Sequence, residues 1–189
     1  VEMFSITRAC KSNVSEPSLI IDMGATTTKL YIADERGMPI AAHVLQTGGN
    51  ETTRAIAAAL GLETTHAEEA KRAYSSAEGA NLAKKERDVI AKLLAQFTAD
   101  VFTVARGMID THAEHRARRI THIIVSGGGA EICIPEVREH IHKKFAVEVS
   151  RAEPFTSIKR PMILDETIQR VGPRFTVAVG LALRALYSS

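Results

Sequence analysis

The spacing of hydrophobic positions changes several times along the 189-residue chain, and each change marks an element. Met3, Phe4, Ile6, Thr7 and Cys10 fall near helical spacing, so residues 2–11 read as a short helix. Ser18-Leu19-Ile20-Ile21-Asp22-Met23 reads as a strand buried on both faces. Lys29 to Ala33 follows after a Gly/Thr turn, and Pro39 to Leu45 after the turn Asp34-Glu35-Arg36-Gly37. Connections this short predict an antiparallel meander of three strands.

Gly48-Gly49-Asn50 then opens a helix, with Asn50 as the expected N-cap of the series Ala55, Ile56, Ala59, Leu60. A second helix is expected over Thr65–Tyr74, and the polar stretch Ser75 to Asn81 breaks the pattern. Between Leu82 and about Ala117 there is no proline. Ile90, Leu93, Leu94, Phe97, Val101, Val104, Met108 and Ile109 recur at 3.5-like spacing there. That predicts one very long helix, with Gly107 as a candidate bend. Its apolar stripe suits either the core or self-association.

The last third alternates: a strand over Ile120–Ser126, a helix over Pro135–Phe145, a short strand Val147–Val149, and an irregular stretch. Pro173 then starts a helix running from Phe175 to Leu186. Three antiparallel strands joined to β/α units predict an α/β domain with a mixed sheet. The element order is that of a ribonuclease-H-like fold with a mainly helical insert. Residues 1–60 and 118–189 would form the sheet-bearing part, and residues 61–117 the insert.

Composition narrows the function classes. Lys and Arg number 24 against 22 Asp and Glu, a net charge of +2, which leaves no footprint for nucleic acid. The basic run His115 to Arg119 reads as a solvated helix end. No apolar run approaches the roughly 20 residues that span a bilayer, so no direct membrane insertion is expected. Two cysteines cannot build a disulfide framework, and Cys133, between Ile132 and Ile134, reads as a buried thiol. No segment at Val1 looks like a signal peptide, and the opening within a periodic segment suggests a chain cut from something longer. His112 and His115, and His140 and His142, read as surface histidines rather than metal ligands.

Three segments carry chemistry. Asp22-Met23-Gly24-Ala25-Thr26-Thr27-Thr28 lies between two strands, where glycine permits a tight turn and successive amides can cradle a phosphate. Asp22, at the end of a strand, could hold the waters of a Mg²⁺ ion. Ser126-Gly127-Gly128-Gly129-Ala130 follows a strand directly, at the edge where open α/β sheets bind ligands. It is not G-x-G-x-x-G, and no G-x-x-x-x-G-K-[ST] occurs, which disfavours Rossmann and Walker sites. In Ala67-Glu68-Glu69-Ala70-Lys71-Arg72, Glu68 and Lys71 share a helix face and could meet ribose hydroxyls, phosphate or a base. Each segment alone has a plain structural explanation: a hairpin turn, a loop, a solvated helix.

Taken together and in this order, the three segments resemble the second half of the actin-like ATPase superfamily: its D-x-G-x-x-T-T-like phosphate loop, G-G-G-A-like adenosine loop and A-E-x-x-K insert helix. Within it the chain is most similar to the PilM family of type IV pilus assembly proteins. The likeness runs through Glu2–Ala9, Ile20–Thr27, Gly48-Gly49-Asn50, Ser126–Ala130, Glu153-Pro154-Phe155 and Phe175–Arg184. Two departures stand out. Ile134-Pro135-Glu136 replaces a frequent Pro-Gly, and the family's first half is not in the sequence.

The resemblance implies an ATP and Mg²⁺ site in which Asp22, Gly24, Thr26 and Thr27 face the phosphates, Asp22 serving the metal. Gly127, Gly128 and Gly129 would face the adenosine, Glu68, Lys71 and Arg72 the ribose and base, and Gly48 and Gly49 would approach from the third strand. It also implies a cytoplasmic protein peripheral to the bacterial inner membrane. Its partners would be inner-membrane pilus assembly proteins docked on the missing half, with self-association as a further property. Hydrolysis is left open between a weak ATPase and none. An FtsA-like cell-division domain shares the motifs but ends in an amphipathic helix, which Leu186-Tyr187-Ser188-Ser189 does not supply. A heat-shock-type ATPase would carry G-G-G-T in the phosphate loop, and a non-hydrolysing scaffold is the remaining alternative.

Overall fold

The computed structural model describes residues 2–10, 16–115, 119–130, 147–156 and 158–187. Strands β1 (Ser18–Met23), β2 (Thr28–Ala33), β3 (Pro39–Leu45), β4 (His122–Ser126) and β5 (Glu148–Arg151) form one sheet in the order β3-β2-β1-β4-β5. β1 with β2 and β2 with β3 pair antiparallel, whereas β4 is parallel to β1 and β5 to β4. The short turns allow only hairpins, and the long helical excursion between β2–β3 and β4 brings the chain back in a parallel crossover. The expected mixed sheet and meander are therefore both present.

Helices cover the two faces. On one side Leu19, Ile21 and Met23 of β1, Leu30 and Ile32 of β2, and Ile123 and Val125 of β4 pack with Val101, Phe102 and Ala105 of α4 (Lys84–His115). On the other, Ile20, Tyr31 and Ile124 meet Ile6 and Cys10, at and just beyond α1 (Glu2–Ala9), and Val177 of α6 (Thr176–Tyr187). Alternate residues of β1 thus enter opposite cores, as the unbroken apolar run predicts. A third cluster, Ile56, Ala67, Ile90 and Leu94, joins α2 (Gly49–Leu60), α3 (Thr64–Tyr74) and the first half of α4. At 32 residues, roughly 48 Å, α4 is long enough to serve both cores. Its apolar stripe is consumed by this packing, and the helix passes Gly107 without a break in its assignment.

Several boundaries moved for physical reasons. The N-cap of α2 is Gly48, not Asn50, because the first helical N–H groups find main-chain acceptors in the β1–β2 loop and need no side-chain cap. Leu82 lies in a bend just after the 3₁₀ segment Ala77–Asn81, and α4 starts where the Glu86 carboxylate accepts the Ala83 N–H at 2.9 Å. α5 (Asp165–Val171) lies in the stretch read as irregular; none of its residues is buried, so it carries no periodic signal. Pro173 sits in a 3₁₀ turn (Gly172–Phe175) ahead of α6. His112 is buried at 8% exposure rather than on the surface, because it lies eleven residues beyond Val101 and seven beyond Ala105, on the face α4 turns to the sheet. The expected helix over Pro135–Phe145, Cys133, His140 and His142, and most of the His115–Arg119 run lie outside the described residues.

α1 and α6 cross at near backbone contact. A Cβ built at Gly180 would stand 1.8 Å from the Ser5 carbonyl oxygen, so only glycine fits. The Lys29 ammonium also binds the Glu2 carboxylate, tying α1 to β2. We expect Gly180→Ala to destabilise the fold by about 3 kcal/mol or more, since the new methyl group would collide with the Ser5 backbone, which cannot give way as a side chain could. Urea unfolding followed by circular dichroism checks this, and an unchanged midpoint would contradict the close crossing.

Candidate functional site

The register of the sheet creates the site. β1 and β4 are adjacent and parallel, with Asp22 beside Ser126, so the loops that follow both strands leave from the same edge of the sheet. The β1–β2 loop turns tightly, its Gly24 N–H donating to the Thr27 carbonyl at 3.0 Å. The β4 loop turns at Gly127 with φ +83° and returns along β1, the Gly129 N–H donating to the Met23 carbonyl at 3.0 Å.

The start of α2 is fastened to the first of these loops. The Gly49 N–H donates to the Gly24 carbonyl at 3.0 Å, and the Asn50 N–H to the Ala25 carbonyl at 2.7 Å. Any side chain at Gly48 would stand 2.7 Å from both of those carbonyl oxygens. The β1–β2 loop and the third strand's exit are therefore one backbone unit. The Thr28 hydroxyl, donating to the Thr47 carbonyl at 3.0 Å, closes its other side.

α3 carries the charged motif onto this unit. The Lys71 ammonium, 3% exposed, donates to the Gly49 carbonyl (2.9 Å), the Thr53 hydroxyl (2.6 Å) and Glu68 Oε2 (2.6 Å). Those three bonds use all of its protons. The Thr53 hydroxyl donates to the same Glu68 oxygen at 2.5 Å, and Arg72 Nε binds Glu68 Oε1 at 2.9 Å. Burial pushes the Glu68 carboxyl up, but the hydrogen bonds from Lys71, Thr53 and Arg72 and the Lys71 charge carry it below its ordinary value.

These elements enclose a cavity of about 410 Å³. Gly24, Ala25, Gly49, Asn50, Glu68, Lys71 and Arg72 line it, together with Gly128 and Gly129. Thr26 and Gly48 face an adjoining open hollow that shares Ala25, Asn50, Glu68 and Arg72. Asp22, Thr27 and Gly127 line neither space. Asp22 lies beneath the Gly127 turn, its Oδ1 2.8 Å from where a Cβ at Gly127 would sit. Burial raises its carboxyl pKa, the nearby Glu2 charge adds to this, and a hydrogen bond with Ser126 and the Lys29 charge oppose it.

The cavity is also lined by Arg151, Arg170 and Arg174, which the sequence pattern did not single out. Arg151 Nη2 donates to the Gln169 and Arg170 carbonyls at 3.2 and 2.9 Å, at the carboxyl end of α5. The one available signal was the four-residue spacing of Arg170 and Arg174, which points both to one side if the segment is helical.

A family model described as type IV pilus assembly protein PilM matches residues 3–186. The chain belongs to the PilM family. Among solved structures it is similar to the PilM–PilN type IV pilus biogenesis complex, at 25% identity and a TM-score of 0.75, with 97% of this chain and 51% of that one covered. It shares its fold with MreB 5 of Spiroplasma citri bound to AMPPNP (15% identity, TM-score 0.62, 96% of this chain and 57% of that one). It also shares it with the activator of 2-hydroxyisocaproyl-CoA dehydratase from Clostridium difficile with bound ADPNP (16% identity, TM-score 0.58, 99% and 66%). The chain thus spans about half to two thirds of these structures. No curated protein matches it. The PilM-like chain has the actin-like α/β fold, and among its described residues no helix is long and apolar enough to cross a membrane.

The Glu68 network yields a stability prediction for this PilM domain. Glu68→Gln leaves the buried Lys71 charge without its counter-ion and should lower stability near neutral pH by about 1–3 kcal/mol. Because the folded state holds the Glu68 carboxyl below its ordinary value, the contribution is present above the carboxylate range and lost as pH falls through it. Wild type and variant should therefore converge in acid. A gap that persists or widens there, in paired urea titrations, would contradict the ion pair.

Proposed function

We propose that this PilM-family chain forms the second-domain half of an ATP–Mg²⁺ cleft in a type IV pilus assembly protein. One observation carries the reading: the β1–β2 loop, the start of α2, the Glu68-Lys71-Arg72 helix and the Gly128-Gly129 floor, far apart in sequence, converge on one cavity. The two fold relatives described with AMPPNP and ADPNP support an adenine nucleotide as the ligand class. In this reading Gly24, Thr26 and Thr27 lie towards the phosphates and Gly127, Gly128 and Gly129 towards the adenosine. Gly49 and Gly48 bring α2 up beside the phosphates. Lys71 has no proton left for a ligand, so its role is to hold α3 against Gly49, and Glu68 and Arg72 are the groups that reach ribose or base.

Asp22 is the residue that would hold Mg²⁺. It offers a hard oxygen donor, and the burial that raises its pKa would be relieved by a divalent cation that keeps most of its own waters. When bound, the ion would screen phosphate charge. This chain's residues would orient the nucleotide and stabilise charge rather than form a covalent bond. The partner assignment, to inner-membrane pilus assembly proteins on the cytoplasmic side, draws on the PilM–PilN relative. In our reading the partners dock on the part of the family fold that this chain does not cover.

Calorimetric titration of the 189-residue chain with ATP and Mg²⁺ tests the reading. With half the phosphate contacts absent, we expect a Kd on the order of 0.1–1 mM. Asp22→Asn should weaken binding by about tenfold with Mg²⁺ and much less without it. Sub-micromolar binding would overturn the half-cleft, and no binding at roughly 10 mM ATP would overturn the nucleotide site.

A further inference from the structure

α5 is a helix with little to rest on. It has seven residues, well short of the dozen or so that a helix needs to keep its own shape in water. None of them is buried, nor is any residue of the 3₁₀ turn Met162–Leu164 that leads into it, where Met162 and Ile163 are 86% and 87% exposed. Its principal neighbours are that turn and the 3₁₀ turn Gly172–Phe175 behind it. A hollow of about 310 Å³ separates Ile168 and Gln169 of α5 from Ala152, Pro154 and Phe155, which follow β5. The helix therefore spans a gap instead of seating on a core.

One arginine holds each end. At the amino end Arg160 Nε donates to Asp165 Oδ1 at 2.7 Å, and its Nη1 to the Phe155 carbonyl at 2.8 Å. At the carboxyl end Arg151 Nη2 supplies the Gln169 and Arg170 carbonyls, acceptors that a helix leaves unsatisfied there. The two arginines differ in where else they reach. Arg160 lines the hollow and not the 410 Å³ cavity, whereas Arg151 lines both and is the one residue the two spaces share. A ligand in the cavity thus meets the same guanidinium that caps α5, and Arg151 has N–H donors besides those on Nη2 to offer it.

We propose that α5, with the turn before it, is a ligand-gated flap at the wall of the nucleotide cavity, and that Arg151 is the positioning residue that couples the two. This rests on the nucleotide reading above and adds regulation to the same site. Ties confined to the ends of the helix, with no buried side chain between them, make α5 a unit that can come away without disturbing the sheet. A ligand that fixes Arg151 shifts the flap towards its closed position by that difference in contact alone. Closure also sets the exposed Met162–Leu164 tip in place, so that occupancy of the cavity is displayed on the outside of the fold.

Hydrogen exchange read by mass spectrometry on the 189-residue chain tests this, with occupancy by ATP and Mg²⁺ measured by calorimetry on the same preparation. Without nucleotide, the amides of α5 should exchange about 100-fold or more faster than those of α6, and roughly 10 mM ATP should slow them about tenfold. In Arg151→Gln, α5 should exchange fast with the cavity empty or filled. In Arg160→Gln it should exchange faster than in the native chain, yet still slow when nucleotide binds. An α5 as protected as α6 in the empty chain would overturn the flap. Unchanged exchange at proven saturation would overturn the coupling and leave the nucleotide site standing. Slowing that survives in Arg151→Gln would overturn the assignment to Arg151, and absence of ATP binding would overturn both readings together.

Discussion

Two main-chain hydrogen bonds hold the site together: Gly49 to Gly24 and Asn50 to Ala25. The first N–H groups of a helix have no partners within it and must be satisfied elsewhere. Here the β1–β2 loop supplies the acceptors, so one contact caps α2 and fixes the loop. The approach is possible because Gly48 has no side chain to collide with the same carbonyls. Replace that glycine, and helix and loop must separate together. Lys71 reinforces the joint from above by binding the Gly49 carbonyl, which ties α3 to the same few atoms.

Everything outside the joint acts to bring other groups to it. The parallel pairing of β1 with β4 sets the glycine turn after Ser126 beside the loop after Asp22, although about a hundred residues separate them in sequence. α4 bridges the helical cluster and the sheet, so the position of α3 over the loop depends on one rigid rod packed in both cores. The close crossing of α1 and α6 does the same on the opposite face, where α6 follows the 3₁₀ turn whose Pro173 carbonyl accepts the Gly127 N–H at 2.9 Å. The floor of the cavity is thus supported from both faces of the sheet.

The parts of this arrangement that were legible in sequence are those where the chain's own periodicity decides. β1 shows an apolar run because both its faces are buried, and α4 shows a long stripe because two cores need it. The glycine loops and the Glu68–Lys71 spacing were visible because each follows from local backbone or helix geometry. What could not be read was anything decided by a distant partner. Asn50 has the composition of an N-cap, yet carbonyls from residues 24 and 25 made a side-chain cap unnecessary. Nothing in Ala67–Arg72 says that Lys71 would be buried with all its protons taken, because two of its acceptors come from α2. α5 escaped notice for the opposite reason: with no buried residue it leaves no hydrophobic signature, and Arg170 went unseen with it.

The two carboxylates of the region act on stability in opposite senses. Glu68 is surrounded by donors and sits below its ordinary pKa, so its charge favours the folded state once the pH is above the carboxylate range. Asp22 is the reverse. Burial outweighs its contacts with Ser126 and Lys29 and lifts its pKa, so the folded state holds its proton more tightly than the unfolded chain does. Its stabilising contribution is therefore complete at low pH and declines as pH rises through the raised value. A fold selected for stability alone would place a neutral residue at the end of β1. A charge at that position is held at a disadvantage, and the bonds that lower Glu68 help keep the surrounding frame rigid enough to hold that disadvantage in place.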